Sequence, residues 1–178
     1  RVFGLRRIAL HDWIESRHRR WLDCLVTEPQ HFETEDKMKN LGGIYPALPT
    51  PMTYSGDINI TALKNLVDFE VGQGVDGLYV GGSTAEAFLL SETERMQIAE
   101  TVIDRATGRV KVIIHTGAGG TDTALRLSRH ARDIGADAIS SVPPIYFKYT
   151  TEEVIAYYLD LIDGSQMPLV VYNVPAFT

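Results

Sequence analysis

The sequence predicts an α/β protein with a parallel sheet, either doubly wound or a (β/α)8 barrel. Three observations carry this. From Leu41 onward, short apolar runs alternate with amphipathic stretches of helical period. The runs recur at about 30-residue intervals, the length of a βαβ unit. Within each run, apolar residues stand at successive positions, as expected when helices cover both faces of a sheet.

The elements follow in order. Gly43 to Leu48 is a candidate first strand, ended by Pro49 and Pro51. Tyr54-Ser55-Gly56-Asp57 is a turn. Asn59 to Val71 reads as a helix with Leu63, Leu66, Val67 and Phe69 on its apolar face, stopped by Gly72 and Gly74. Gly77 to Val80 is the second strand. Ser91 caps the next helix, with Glu94 three residues on completing a capping box, and Met96, Ile98, Ala99, Val102 and Ile103 follow to Ala106. Val110 to Ile114 is the third strand. Thr121 is the expected cap of a helix that runs to Ile134 and ends at Gly135. Asp137 to Val142 is the fourth strand, ended by Pro143-Pro144. Thr151 opens a helix carrying Val154, Ile155, Tyr158, Leu159 and Ile162, and Pro168 to Tyr172 is the fifth strand.

Residues 1–37 differ from the rest. Ile14, Trp21, Leu22 and Leu25 share one helical face, and Arg17, Arg19 and Arg20 lie largely away from it. Such a segment suits a partner-binding or membrane-surface helix, or an appendage without a role of its own. Residues 1–40 hold 8 basic and 7 acidic side chains, for +1. The remainder holds 9 and 16, for −7. This break marks a boundary near position 40: an N-terminal extension over 1–37 and a barrel domain over 38–178, with Met38 a candidate start of the compact domain.

Bulk properties narrow the function. A net charge of −6 argues against a nucleic-acid footprint. Cys24 is the single cysteine, so neither a disulfide framework nor a cysteine metal site is expected. His11, His18 and His31 show no ligand spacing. No apolar run approaches the roughly 20 residues of a membrane helix, and charges interrupt any signal-peptide pattern. No membrane or nucleic-acid partner, no metal and no cofactor are expected, and a cytoplasmic location is the default.

The informative stretch is Leu78 to Phe88, a buried strand running into Gly81-Gly82-Ser83-Thr84-Ala85-Glu86. Backbone N–H groups and two hydroxyls converge there, a donor set for a small carboxylate or phosphate. The same residues also suit a tight strand-to-helix turn whose Ser and Thr merely cap the next helix. Gly81-Gly82-Ser83-Thr84-Ala85 further matches the nucleophile elbow of serine hydrolases, with Ala85 in place of the last glycine. A triad is incomplete, however. His130 falls inside a helix, and no acid stands on a strand end between Ser83 and His115.

Other motifs carry less. Gly72-Gln73-Gly74-Val75-Asp76-Gly77 has the dinucleotide spacing but follows a helix and enters a strand, the reverse of what that site needs. Gly117-Ala118-Gly119-Gly120 suits a flexible loop or weak phosphate binding. Asn59-Ile60-Thr61 is a formal glycosylation sequon that reads better as a helix start. Tyr146 and Tyr172 fall at the ends of the fourth and fifth strands, the rim where active sites of α/β barrels lie. Phenol and alcohol hydroxyls along that rim can relay protons without net charge.

Asp76 to Val80, Gly81-Gly82-Ser83-Thr84 with Glu86-Ala87-Phe88, and Tyr172-Asn173-Val174-Pro175-Ala176 together resemble the N-acetylneuraminate lyase branch of the dihydrodipicolinate synthase superfamily of class I aldolases. The resemblance runs from about Leu41 to Thr178 and does not include residues 1–37. It implies a (β/α)8 TIM barrel, here with five strands and four helices, in a homotetramer. It implies reversible cleavage of N-acetylneuraminate to pyruvate and N-acetylmannosamine through a lysine Schiff base, with no added cofactor. Ser83 and Thr84 would grip the pyruvate carboxylate. Tyr172 would move the proton, and Tyr146 would reach an adjacent subunit's site. Ser83 in place of a threonine, and Ala176 in place of glycine, favour the lyase branch over dihydrodipicolinate synthase or another 2-keto acid aldolase. A carboxylate-binding paralogue without catalysis remains a reading of a different class.

Three departures set expectations. The Schiff-base lysine belongs on a sixth strand, after Thr178, and neither Lys111 nor Lys148 matches its position. The residues that bind the sugar hydroxyls also come later. Ala85 stands where the family has glycine, and would strain the loop by roughly 1 kcal/mol if that position needs a positive φ. The 138 residues from Leu41 fall short of the roughly 250 of a barrel. The expectation is therefore a chain cut off partway, catalytically incompetent by itself and poorly soluble.

Overall fold

The structure is a computed structural model that describes residues 41–174. All of these belong to the second of the two units into which the chain divides, Lys37–Thr178. The helical face expected around Ile14 to Leu25, and Ala176, lie outside the described residues.

Four parallel strands form one sheet in sequential order: β1 (Gly77–Val80), β2 (Lys111–His115), β3 (Ala138–Ser141) and β4 (Leu169–Val171). Four α-helices alternate with them: α1 (Ile60–Gly72), α2 (Glu92–Ala106), α3 (Thr121–Asp133) and α4 (Thr151–Ser165). Register runs without a break, Tyr79 beside Ile113, Ile113 beside Ala138, and Ile139 beside Leu169. Parallel strands need crossovers, and α2, α3 and α4 each supply one.

The expected first strand is present only in part. Tyr79 N–H donates to the Pro46 carbonyl at 3.0 Å, and Leu48 N–H donates to the Tyr79 carbonyl at 2.9 Å. Pro46 has no N–H, so it cannot return a bond to β1, and pairing shrinks to a single bridge, Ala47 to Tyr79.

Helix ends largely follow their caps. Asn59 accepts from Ala62 N–H, and Ser91 with Glu94 closes the expected capping box. Thr121, the expected cap of α3, is instead its first helical residue, and Gly120 is the cap without a side-chain bond. Thr151 opens α4 as expected, and Thr150 caps it in a second capping box with Glu153. Phe69, expected on the apolar face of α1, is 60% exposed.

The core lies between sheet and helices. Leu63 and Val67 of α1, Ile98 and Val102 of α2, and Ala131 of α3 pack on Leu78, Val80, Val112, Ile114 and Ile139. Burial of each such Leu, Ile or Val side chain contributes about 1.5–3 kcal/mol. The opposite sheet face carries Tyr79, His115, Ser140 and Tyr172, and that face positions the site.

Candidate active site

The carboxyl ends of the strands meet at the turn after β1. Gly81 adopts φ +74°, a left-handed conformation that glycine takes without strain. Gly82 is glycine for a different reason: a Cβ there would lie 2.5 Å from Tyr79 Cε1. Ser83–Ala85 then forms one 3-10 turn, with Ala85 N–H donating to the Gly82 carbonyl at 3.1 Å and Glu86 N–H to the Ser83 carbonyl at 3.0 Å. The N–H groups of Ser83 and Thr84 are not consumed by these bonds, and both side chains are exposed. Thr50 Oγ1 ties the turn down by donating to the Ala85 carbonyl at 3.0 Å.

Ala85 is not at positive φ. The residue in the left-handed region is Glu86, at φ 57°. The strain expected if Ala85 required glycine geometry does not arise, and its methyl is buried in the turn.

A cavity of about 670 Å³ opens beside the turn, within the usual range for small-molecule pockets. Ser83, Glu86, Phe88, Val142, Tyr146 and Val174 are among its lining residues. Ser83 and Tyr146 thus meet in one space. Thr84 lies beside Ser83 but outside that lining. Tyr146 sits on the loop after β3 at φ 85°, unusual for a bulky side chain, with its ring 90% exposed and edge-on to Phe147 at 4.9 Å.

Tyr172 extends from β4, its N–H donating to the Ser141 carbonyl at 2.9 Å. Its half-buried ring stands edge-on to Tyr79 at 6.1 Å and to His115 at 6.2 Å. Phe88 closes the cluster against His115 at 6.1 Å. Tyr79 donates to Ser140 Oγ at 3.0 Å, and burial pushes its phenol up to about 12, against the pull of that bond.

His115 is buried, and its Nε2 accepts from Val142 N–H at 3.4 Å. Burial first, and the Arg95 charge second, push its imidazole down to about 3, with the Gly81 backbone working the other way. The ring is therefore neutral, with Nε2 occupied and Nδ1 lacking a well-formed hydrogen bond. It makes no hydrogen bond to Ser83, and His130 pairs instead with Glu100 at 2.8 Å. The nucleophile-elbow reading therefore lacks a base. Among the described residues no cluster of His, Cys, Asp and Glu is arranged to hold a metal, and no helix is long and apolar enough to cross a membrane.

Sequence reasoning identified Ser83, Thr84, Tyr146 and Tyr172 but not Tyr79, Ser140 or Arg95. Arg95 donates from α2 to the carbonyls of His115 and Gly117, both at 3.0 Å. Gly117 is required there, since a Cβ would lie 2.8 Å from His115 Nε2 and 2.9 Å from Ser141 Oγ. The available signal for Tyr79 and Ser140 was their place near strand ends.

The lysines among the described residues lie elsewhere. Lys111 is at the amino end of β2, paired with Asp137 at 2.8 Å. Lys64 is in α1, and Lys148 is in the exposed loop after β3. The arrangement can bind a small anion through amides and hydroxyls and exchange protons through phenols.

Comparisons with known proteins agree with this geometry. Residues 40–178 match the dihydrodipicolinate synthetase family. The N-acetylneuraminate lyase of Rhizobium meliloti is 48% identical over 138 residues, covering 78% of this chain and 46% of that protein. The enzyme of the same name from Citrobacter koseri is 43% identical over 141 residues, 79% of this chain and 48% of its own. A Clostridium difficile protein solved in complex with mannosamine superposes with a TM-score of 0.75 at 36% identity, over 76% of this chain and 47% of that one. Dihydrodipicolinate synthase from Aquifex aeolicus gives 0.74 at 35% identity, over 76% and 46%. The chain spans about half the length of the curated relatives it matches. With the parallel strands, the glycine-led turn and the match over 40–178 in agreement, the chain belongs to the dihydrodipicolinate synthetase family.

Proposed function

We propose that the protein carrying this chain is a class I aldolase that reversibly cleaves N-acetylneuraminate to pyruvate and N-acetylmannosamine. The observation that carries the reading is the turn Ser83–Ala85, which offers two hydroxyls and two uncommitted amides at the strand-end rim. In this reading Ser83 and Thr84 hold the carboxylate of the 2-keto acid. A lysine amine condenses with the ketone, releasing water and leaving an imine. The imine accepts the electron pair of the breaking C–C bond, so no free carbanion forms. Tyr172 carries the proton from the hydroxyl that becomes the aldehyde carbonyl to the enamine carbon, and water then hydrolyses the imine, freeing pyruvate and the lysine amine. In this reading that lysine stands on a strand following β4, and the groups that read the sugar are likewise outside the residues described.

Tyr146 serves an adjacent subunit in this reading, within a homotetramer. Its exposure and left-handed backbone, at the mouth of the cavity it shares with Ser83, support such a role. A cytoplasmic role in carbohydrate metabolism follows from the same reading, which needs no cofactor. Dihydrodipicolinate synthase is the second reading, favoured by structural neighbours of that name at similar identity.

The test is borohydride trapping of the complete gene product with pyruvate, followed by assay with N-acetylneuraminate. Imine trapping and release of N-acetylmannosamine are expected. Trapping without sugar cleavage would favour another 2-keto acid aldolase. Pyruvate binding without trapping would favour a carboxylate-binding paralogue. A protein that neither binds pyruvate nor cleaves the sugar would sink the reading.

A further inference from the structure

Tyr79 is not among the residues given a role above, yet it touches both halves of the proposed site. Its ring lies beneath Gly82, so close that no side chain fits at that position. Gly82 is the residue on which the Ser83 turn hinges, accepting from Ala85 N–H at 3.1 Å and Ala87 N–H at 3.4 Å. The same ring stands perpendicular to Tyr172 at 6.1 Å. The phenol is fixed at its far end by Ser140 Oγ at 3.0 Å, on the buried strand β3. His115 braces both rings, tilted to Tyr79 at 6.5 Å and edge-on to Tyr172 at 6.2 Å.

We infer that Tyr79 is a positioning residue that sets the carboxylate-gripping turn and the Tyr172 ring relative to one another, with Ser140 as its anchor. The inference rests on the aldolase reading. Three constraints define the orientation of the Tyr79 ring: a close contact above, a hydrogen bond at its tip and a flanking aromatic pair. A two-ended support matters because a substrate held by its carboxylate must present its reacting carbon to Tyr172 in a closely defined geometry. Tyr79 reaches neither the carboxylate nor the proton in this account. It acts through Gly82 and Tyr172.

The test uses the complete gene product with Tyr79→Phe, Tyr79→Leu, Ser140→Ala and the double variant Tyr79→Phe/Ser140→Ala. Tyr79→Phe keeps the ring under Gly82 and loses only the anchor. It is expected to lower kcat for N-acetylneuraminate cleavage about tenfold while leaving pyruvate imine formation close to wild type. Ser140→Ala should reproduce that split without altering any residue that meets the substrate. The double variant should be no worse than either single one, since both remove the same bond. Tyr79→Leu, which also removes the support beneath Gly82, should weaken pyruvate trapping as well. A purely structural role would lower thermal midpoint and both activities together, and that outcome overturns the inference. So does wild-type kcat in both Tyr79→Phe and Ser140→Ala. A wild-type protein that neither traps pyruvate nor cleaves the sugar instead removes the aldolase reading, and this inference falls with it.

Discussion

Arg95 donates its Nη2 to the carbonyl of His115 at 3.0 Å, from a helix to the end of a strand. Its Nη1 donates to the Gly117 carbonyl at the same distance, so one guanidinium satisfies two carbonyls where β2 stops. Burial lowers the guanidinium to about 10, which still leaves it charged at neutral pH. Its Nε is buried without a hydrogen-bond partner among the described residues. This arrangement pins the end of β2, where His115 stands. Replacing Arg95 by methionine should keep the packing of the stem but leave both carbonyls unpaired, at about 2–4 kcal/mol. Arg95→Lys should recover only part of this, because an ammonium cannot span both acceptors with a fixed fork. Urea midpoints of the variants check both statements, and a lysine variant equal to wild type would contradict the two-carbonyl account.

His115 gives a pH signature. Its imidazole is held at about 3, below its ordinary 6.5, so the folded state binds fewer protons than the unfolded chain between those values. Stability from keeping this ring neutral is fully present above 6.5 and is lost as pH falls toward about 3, with a slope of at most about 1.4 kcal/mol per pH unit. The shifted carboxylates Asp68, Glu92, Glu94 and Glu153 are all lowered from ordinary values of 4.5 or less, so their contributions lie below that pH. Between about 4.5 and 6.5, His115 is the shifted group among the described residues. His115→Phe, with a ring that fits the same aromatic cluster, should flatten stability against pH in that window. Unfolding midpoints at pH values of about 5 and 7 give the answer.

Much of this fold was legible because local rules and tertiary structure agree. Ser91 with Glu94 predicts a helix start from four residues, and the box forms. Thr150 with Glu153 offers the same signal one residue before Thr151, where the helix opens as expected, and that box also forms. Pro46 sits in the middle of an apolar run, and its missing N–H reduces a strand to one bridge. The site was legible in part for a related reason. Ser83, Thr84 and Tyr172 lie in strand-end motifs that sequence displays directly. Tyr79, His115 and Ser140 meet only through register, and strands apolar on both faces do not reveal which side faces inward.

Alanine at position 85 should be tolerated. Its backbone is not left-handed, and its methyl is buried. Ala85→Gly should therefore relieve nothing. It should cost about 1 kcal/mol in stability through added backbone freedom and a lost methyl. Pyruvate affinity should stay the same, because in the proposed reading the donors are Ser83 and Thr84. Calorimetric titration of both forms with pyruvate checks this, and tighter binding by the glycine form would restore the strain argument.

The open edge of the sheet predicts self-association of the 178-residue chain. No strand pairs with the outer side of β4 among the described residues, and Val171 there is 56% exposed. Ile44, beside β1 at the other side, is 71% exposed. Unpaired parallel edges bearing apolar side chains recruit further chains. Sedimentation velocity should show species larger than a monomer, and a monomer with a sharp cooperative melt would argue against it.

Imine chemistry gives the last prediction. An imine needs an uncharged amine within reach of the ketone held at the strand-end rim. Lys111 is at the opposite end of its strand, and Asp137 raises its ammonium above the ordinary value, so it is a poorer nucleophile still. Lys64 lies in α1, on the helix layer. Lys148 follows β3 on the strand-end side, in an exposed loop, and is not among the residues that line the cavity beside Ser83. Pyruvate with borohydride should therefore leave Lys64, Lys111 and Lys148 of the 178-residue chain without a covalent adduct by peptide mass spectrometry. An adduct on Lys148 would show that this loop supplies the amine and would move the catalytic centre away from the barrel interior.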